Sequence, residues 1–240
     1  MIWVGDKIGR FAQRPHYTEQ ELDIECDKIV SAFLRKRHGD VSFPISTDDL
    51  TCLIEEKADF DSYADLTAEG DDVEGVTEFR SGRRPIVRIS CALAEAVNRD
   101  NRLRTTLTHE YGHVHFHRFL FEELSRQSQL FASPAPAPVN RCHRHNIEHA
   151  LKTDWLEWQA GHCSGALLMP LTALLEGVRL FSSRRGCGCR ELGAHSRDGI
   201  LLVEHVSKAF QVSEQAARVR LLKRGILQEG NQAGRVDFLS

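Results

Sequence analysis

Between Thr18 and Arg37 the apolar positions recur with helical period: Leu22, Cys26, Ile29, Val30, Phe33 and Leu34 share one face, and Thr18 and Glu21 stand at capping-box spacing. An amphipathic helix is expected there. A shorter one is expected over STDDLTCLIEEKADF (46–60), capped by Ser46 or Thr47, with Leu50, Leu53 and Ile54 as its apolar face. From about 73 to 90 the texture changes to VEGVTEF, the turn-like RSGRRP and the β-branched IVRIS, which predicts at least two antiparallel strands. Helical periodicity resumes near Ala92, breaks between Asn98 and Asn101, and then runs through a histidine-rich stretch to about Arg126. ASPAPAPV (132–139) cannot continue a helix and is expected to be an extended, polyproline-like loop.

Another helix is predicted from Thr153 to Met169, closed by Pro170. The polar, glycine-rich stretch 181–199 separates off a tail in which ILLVEHVSKAFQVSEQAARVRLLKRGIL forms two helices split near Gln211 to Ser213, with Ser213 capping the second. That pattern fits a helix-turn-helix and equally any helical hairpin. The expectation is an α+β domain over 1–180, followed by a small helical, helix-turn-helix-like region over 181–240. No internal repeat is evident.

The chain has 240 residues, enough to bury a core without disulfides. It carries 31 basic and 34 acidic residues, a net charge of −3, so no global field draws it to nucleic acid or an anionic membrane. The seven cysteines (26, 52, 91, 142, 163, 187 and 189) are odd in number and scattered, the usage of reduced thiols in a cytoplasmic protein. The opening MIWVGDKIGRFAQRP lacks the apolar stretch of an export signal. AGHCSGALLMPLTALLEGV (160–178) is the nearest approach to a membrane span. It contains His162, Pro170 and Glu176, and reads better as a buried helix ending at the proline.

The chemistry concentrates in LTHEYGHVHFH (107–117). On a helix His109 and His113 stand one turn apart and offer two imidazoles to one point, while Glu110 is rotated away and placed to take a proton from a water on the metal. A catalytic zinc needs a third protein ligand. Candidates are Glu148, His149, Asp154, Glu157 and His162, with Glu157 favoured because Gly161 and Gly165 follow on its face, where a second backbone can approach. His115 points to another face. His117 is one turn beyond His113, but a helix drifts about 40° every four residues, so it is a supporting residue and a poor ligand. Position 119 is Phe, which excludes the longer metzincin pattern. His162, Tyr111 and Tyr63 are open alternatives for an oxyanion donor. The loop residues Cys142, His143, His145 and His149, with Cys163 or the pair Cys187 and Cys189, fit no ordinary zinc-finger spacing. A nucleoside deaminase would need a paired-cysteine motif that is missing. IVRIS is a possible docking strand for an extended substrate if it lies at a sheet edge.

Three blocks in order, NRLRTTLTHEYGHVHFH, DWLEWQAGHCSGALLMP and VSKAFQVSEQAARVRLLKRGIL, resemble the ImmA/IrrE family of zinc metallopeptidases. With the N-terminal helices and strands, the resemblance extends from about Thr18 to Leu227. It implies a zincin-like α+β domain, zinc held by His109, His113 and Glu157, and Glu110 as the catalytic glutamate. It also implies a protein substrate, a helix-turn-helix repressor whose cleavage switches on mobile-element or stress-response genes. The chain departs from the family at Tyr111, where an aliphatic residue is usual, and in the long stretch 122–153. The alternative function is DNA binding by the tail, through Lys208, Arg218, Arg220, Lys223 and Arg224, with a structural or vestigial zinc site.

Overall fold

The Thr18 capping box forms as the spacing predicts. The Thr18 hydroxyl accepts from the Glu21 amide at 3.2 Å, and the Glu21 carboxylate accepts from the Thr18 amide at 2.9 Å. The helix that follows, α1 (Glu19–His38), buries Leu22, Cys26, Val30, Phe33 and Leu34. It ends on Gly39 at φ 80°, a left-handed cap that glycine adopts without a Cβ penalty. The structure, a computed structural model, describes residues 1–7, 9–130, 139–143, 154–185 and 192–229. It divides into two compact units, Met1–Leu168 and Met169–Ser240.

The first unit is a mixed α+β assembly. Strands β1 (Ile2–Gly5) and β2 (Gln13–His16) pair as an antiparallel hairpin. After α1 come α2 (Thr47–Glu55), β3 (Asp59–Ala64), β4 (Val73–Glu78), β5 (Ile86–Ser90), the single turn α3 (Cys91–Ala94), α4 (Asp100–Leu130), β6 (Val139–His143) and α5 (Trp155–Leu168). The sheet order is β3-β5-β4-β6, with β3 parallel to β5 and the other two pairs antiparallel. Helix α4 lies on β4, β5 and β6, α5 packs along α4, and α1 packs on α5. An aromatic cluster closes one end, where Phe79 stacks on Phe121 at 4.2 Å and Phe11 meets Trp155 edge-on at 5.9 Å.

The antiparallel pairing of β4 with β5 agrees with the sequence reading. IVRIS, however, is β5 and lies inside the sheet between β3 and β4, so its ladder positions are filled and it is no docking edge. Of the stretch 132–139, residues 132–138 lie outside the described residues, and Val139 begins β6. His145, His149, Cys187 and Cys189 also lie outside them, while Cys163 is buried within α5.

The second unit contains α6 (Leu171–Arg185), β7 (Leu192–Gly193), α7 (Arg197–Phe210), α8 (Glu214–Lys223) and β8 (Leu227–Gln228), with β7 parallel to β8. The division at Leu168 and Met169 is set where Pro170 interrupts the helix, and α6 packs on α7, so the segment up to residue 180 goes with the tail. Ser213 caps α8 as expected, accepting from the Ala216 amide at 3.0 Å. No single helix among the described residues is long and apolar enough to cross a membrane.

Asp49 joins α1 to α2. Its carboxylate accepts from the Ser46 hydroxyl at 2.8 Å and pairs with Arg37 and His38 at 2.8 and 2.9 Å. Burial alone would raise its pKa, but Ser46, His38 and Arg37 outweigh burial and hold it below the ordinary carboxylate value. A depressed folded pKa means the contribution is complete above the unfolded value of about 3.9 and is lost as pH falls through the folded one. Asp49→Asn is therefore expected to lower unfolding stability at pH 7 by about 1–2 kcal/mol. Urea denaturation should show that difference shrinking as pH falls below 4.

Candidate metal centre

His109 and His113 lie in the middle of α4, where both side chains are fully buried against α5. Their Nε2 atoms stand 3.1 Å apart. From α5 the Glu157 carboxylate closes the triangle, Oε2 lying 3.1 Å from His109 Nε2 and Oε1 3.2 Å from His113 Nε2. Three lone-pair donors at that separation are what bonds of about 2 Å to one ion at tetrahedral angles produce. This group can hold a metal ion, and among the described residues it is the one His/Cys/Asp/Glu group with that geometry. Glu157 is the partly exposed member, at 13 %, so solvent reaches the group on its side.

Two glycines allow the elements this close. A Cβ on Gly112, inside the histidine motif, would stand 3.1 Å from Ala160 Cα and 3.3 Å from Cys163 Cβ, so α4 and α5 meet backbone to backbone. Gly112 thus makes the approach expected of Gly161 and Gly165, which are half-buried. On the other side of α4, a Cβ on Gly75 of β4 would stand 2.6 Å from Glu110 Oε1 and 2.9 Å from Thr106 Cγ2. Glu110 occupies that space with no exposure to solvent. The Thr77 hydroxyl donates to Glu110 Oε2 at 2.5 Å, while the buried Oε1 has no hydrogen-bond partner. A buried carboxylate oxygen left unpaired beside three convergent metal donors fits a water delivered there by an ion.

The electrostatics follow from burial and this geometry. Desolvation raises the Glu110 pKa, with the two imidazoles and Thr77 opposing it only in part. For Glu157 burial acts in the same direction, but His113 and the bonds to both imidazoles prevail and hold it far below the carboxylate range. Burial would lower the His113 pKa, yet Glu157 overcomes it and the net shift is upward. The two glutamates are driven apart, one toward neutrality and one fixed as an anion.

Other residues singled out in the sequence lie elsewhere. Tyr111 is two residues, about 200°, round the helix from His109, stacks on His115 at 5.8 Å and lies beneath Lys57. His162 is turned toward α1, where its Nε2 meets Asp23 Oδ1 at 2.9 Å. Tyr63 sits on β3, 63 % exposed and separated by β5 from the strand that touches Glu110. None of the three faces the metal group, so none is its oxyanion donor. His117 is no ligand but contacts one, its Nδ1 lying 3.1 Å from His113 Nδ1. Thr77 and Gly75 escaped the sequence reading because a strand pattern does not say which helix it will face.

In the second unit the basic residues of the tail are already engaged. Lys208 pairs with Glu204 at 2.5 Å, Arg218 donates to the Ala194 carbonyl at 2.8 Å, and Arg220 is buried against the Met169 carbonyl at 3.2 Å.

Comparison of the chain with family models, curated proteins and solved structures finds no match.

Removing the carboxylate leaves two imidazoles and no anion. Glu157→Ala is expected to weaken Zn2+ or Co2+ binding at least about 100-fold, measured by competition with a chromogenic chelator. Gly75→Ala forces the Glu110 carboxylate or the strand to shift and is expected to cost about 1–3 kcal/mol of stability in thermal unfolding.

Proposed function

We propose that the protein is a zinc-dependent endopeptidase of zincin-like architecture, working in the cytoplasm on a protein substrate, as the resemblance of its three sequence blocks implies. The observation that carries this reading is the convergence of His109, His113 and Glu157 on one point, with Glu110 one residue from a ligand and a free oxygen beside it. The donor set is two neutral nitrogens and one carboxylate, the chemistry of catalytic zinc sites with two histidines and a glutamate.

A zinc ion bound there would supply Lewis-acid polarisation of the scissile carbonyl and would acidify the attacking water. The protein's part is proton management. Glu110 Oε1 accepts the water's proton while Thr77 holds Oε2, so the carboxylate cannot turn away. Its desolvated site raises its pKa, which makes it a stronger base toward that proton before handing it on to the leaving amine. Glu157, fixed as an anion, balances the charge of the cation. Burial of His109, His113 and Glu110 strengthens each of these interactions, while the partly exposed Glu157 side leaves a route for water.

The repressor substrate and the helix-turn-helix character of α7 and α8 rest on the family resemblance. The engagement of Arg218 and Arg220 with backbone carbonyls, and the pairing of the exposed Lys208 with Glu204, disfavour DNA binding as the primary role.

The test combines metal content with cleavage of a helix-turn-helix repressor encoded next to the gene. Wild type is expected to carry one zinc per chain and to cleave. Glu110→Gln should keep the zinc and lose at least about 100-fold in rate. Undiminished cleavage by Glu110→Gln would sink the mechanism, and duplex binding that weakens with salt and survives Glu110→Gln would favour the DNA reading. Two zinc ions per chain would restore the cluster around Cys142 as a second site.

A further inference from the structure

Behind His113 a line of hydrogen bonds runs to the backbone of the N-terminal hairpin. His113 Nδ1 meets His117 Nδ1 at 3.1 Å, His117 Nε2 meets Gln159 Oε1 at 3.0 Å, and Gln159 Nε2 donates to the Pro15 carbonyl at 3.2 Å. His113, His117 and Gln159 are all buried, at 1 % exposure or less. The order of protons along this line is determined from both ends. A carbonyl oxygen only accepts, so the Gln159 amide must turn its NH2 to Pro15 and its oxygen to His117. His117 must then carry its proton on Nε2, which leaves Nδ1 of the neutral ring as an acceptor. His113 must donate to it from Nδ1, and its Nε2 lone pair is left facing His109 and Glu157. Starting instead from a cation on His113 Nε2, the same protons follow in reverse.

We propose that Gln159, acting through His117, is a positioning residue that locks His113 in its metal-binding tautomer, and that the N-terminal hairpin is thereby part of the metal centre. This rests on the metal-site reading above. The hairpin is held to α5 at a second point, where Trp155 Nε1 donates to Asp6 Oδ1 at 3.1 Å and Asp6 Oδ2 accepts from the amides of Arg10 and Phe11. Gln159 and Trp155 are one turn apart on the helix that also carries Glu157, so one docking event orients a ligand of α4 and the helix of the third ligand together. His109 has no such support, since its Nδ1 is buried with no hydrogen-bond partner. The lock is confined to one of the two imidazoles.

Two measurements test this. In metal-free wild-type protein, long-range 1H–15N correlation spectra of the imidazoles should show His113 protonated on Nδ1 and His117 on Nε2. With Co2+ as probe, Gln159→Leu should bind about 10–100-fold more weakly and give a shifted visible spectrum. Ser164→Ala removes a different buried bond between α4 and α5, 2.9 Å to Thr108, and should leave affinity and spectrum unchanged. A His113 ring without a proton on Nδ1, or a His117 ring without one on Nε2, in the metal-free protein, or wild-type cobalt affinity in Gln159→Leu, would overturn the proposal. If wild type binds neither zinc nor cobalt, the metal reading fails, while the imidazole spectra still decide the tautomer lock.

Discussion

The burial of Glu110 of α4 against a strand that carries no side chain at the point of contact is the constraint on which the structure depends. A carboxylate out of water is costly unless it is paired and hydrogen-bonded or takes up a proton. Here one oxygen is held by Thr77 and the other is left without a partner. Gly75 opens the space on the sheet side and Gly112 lets α5 approach on the other, so α4 is clasped on both faces within one turn. The same clasp brings Glu157 within 3.2 Å of both imidazoles. Packing and chemistry are thus one arrangement, and loosening either side of α4 separates the proposed base from the metal donors.

The two proposed metal imidazoles are unequal. His113 is backed by His117, Gln159 and the main chain of β2, while His109 relies on its helix and on the shared carboxylate. A metal ligand whose other ring nitrogen is hydrogen-bonded has a fixed tautomer and orientation. The arrangement gives the N-terminal hairpin a place in the site that its sequence separation of about 100 residues from α4 conceals. The remaining histidine of the motif, His115, serves the opposite face of α4, where Lys57, Glu25 and Tyr111 surround it.

Much of this was legible in the chain. The capping box at Thr18, the cap at Ser213 and the break at Pro170 rest on residues within a few positions of one another, and the β4–β5 pairing joins strands separated only by a short turn. His109, Glu110 and His113 are readable for the same reason, because helical geometry alone puts two imidazoles over one point. Glu157 needed a judgement about which helix would face α4, and the glycines that prompted it are half-buried while Gly112 makes the contact. Tyr111, Tyr63 and His162 show the limit. Their chemistry suits an oxyanion donor, but a side chain's type does not state its direction, and each faces a different neighbour.

The sequence by itself determined where the main helices lie and several of their caps, and singled out two candidate metal donors and a proposed base. All of these follow from periodicity, capping and spacing within single elements, whereas the helix expected over 46–60 ends at Glu55 and gives way to β3. Tertiary structure alone decided that IVRIS is an inner strand, that Thr77 and Gly75 frame the carboxylate, and that Pro15 stands at the far end of a line reaching His113. Those relations join residues tens of positions apart, and they depend on which faces pack together once the apolar surfaces have left water.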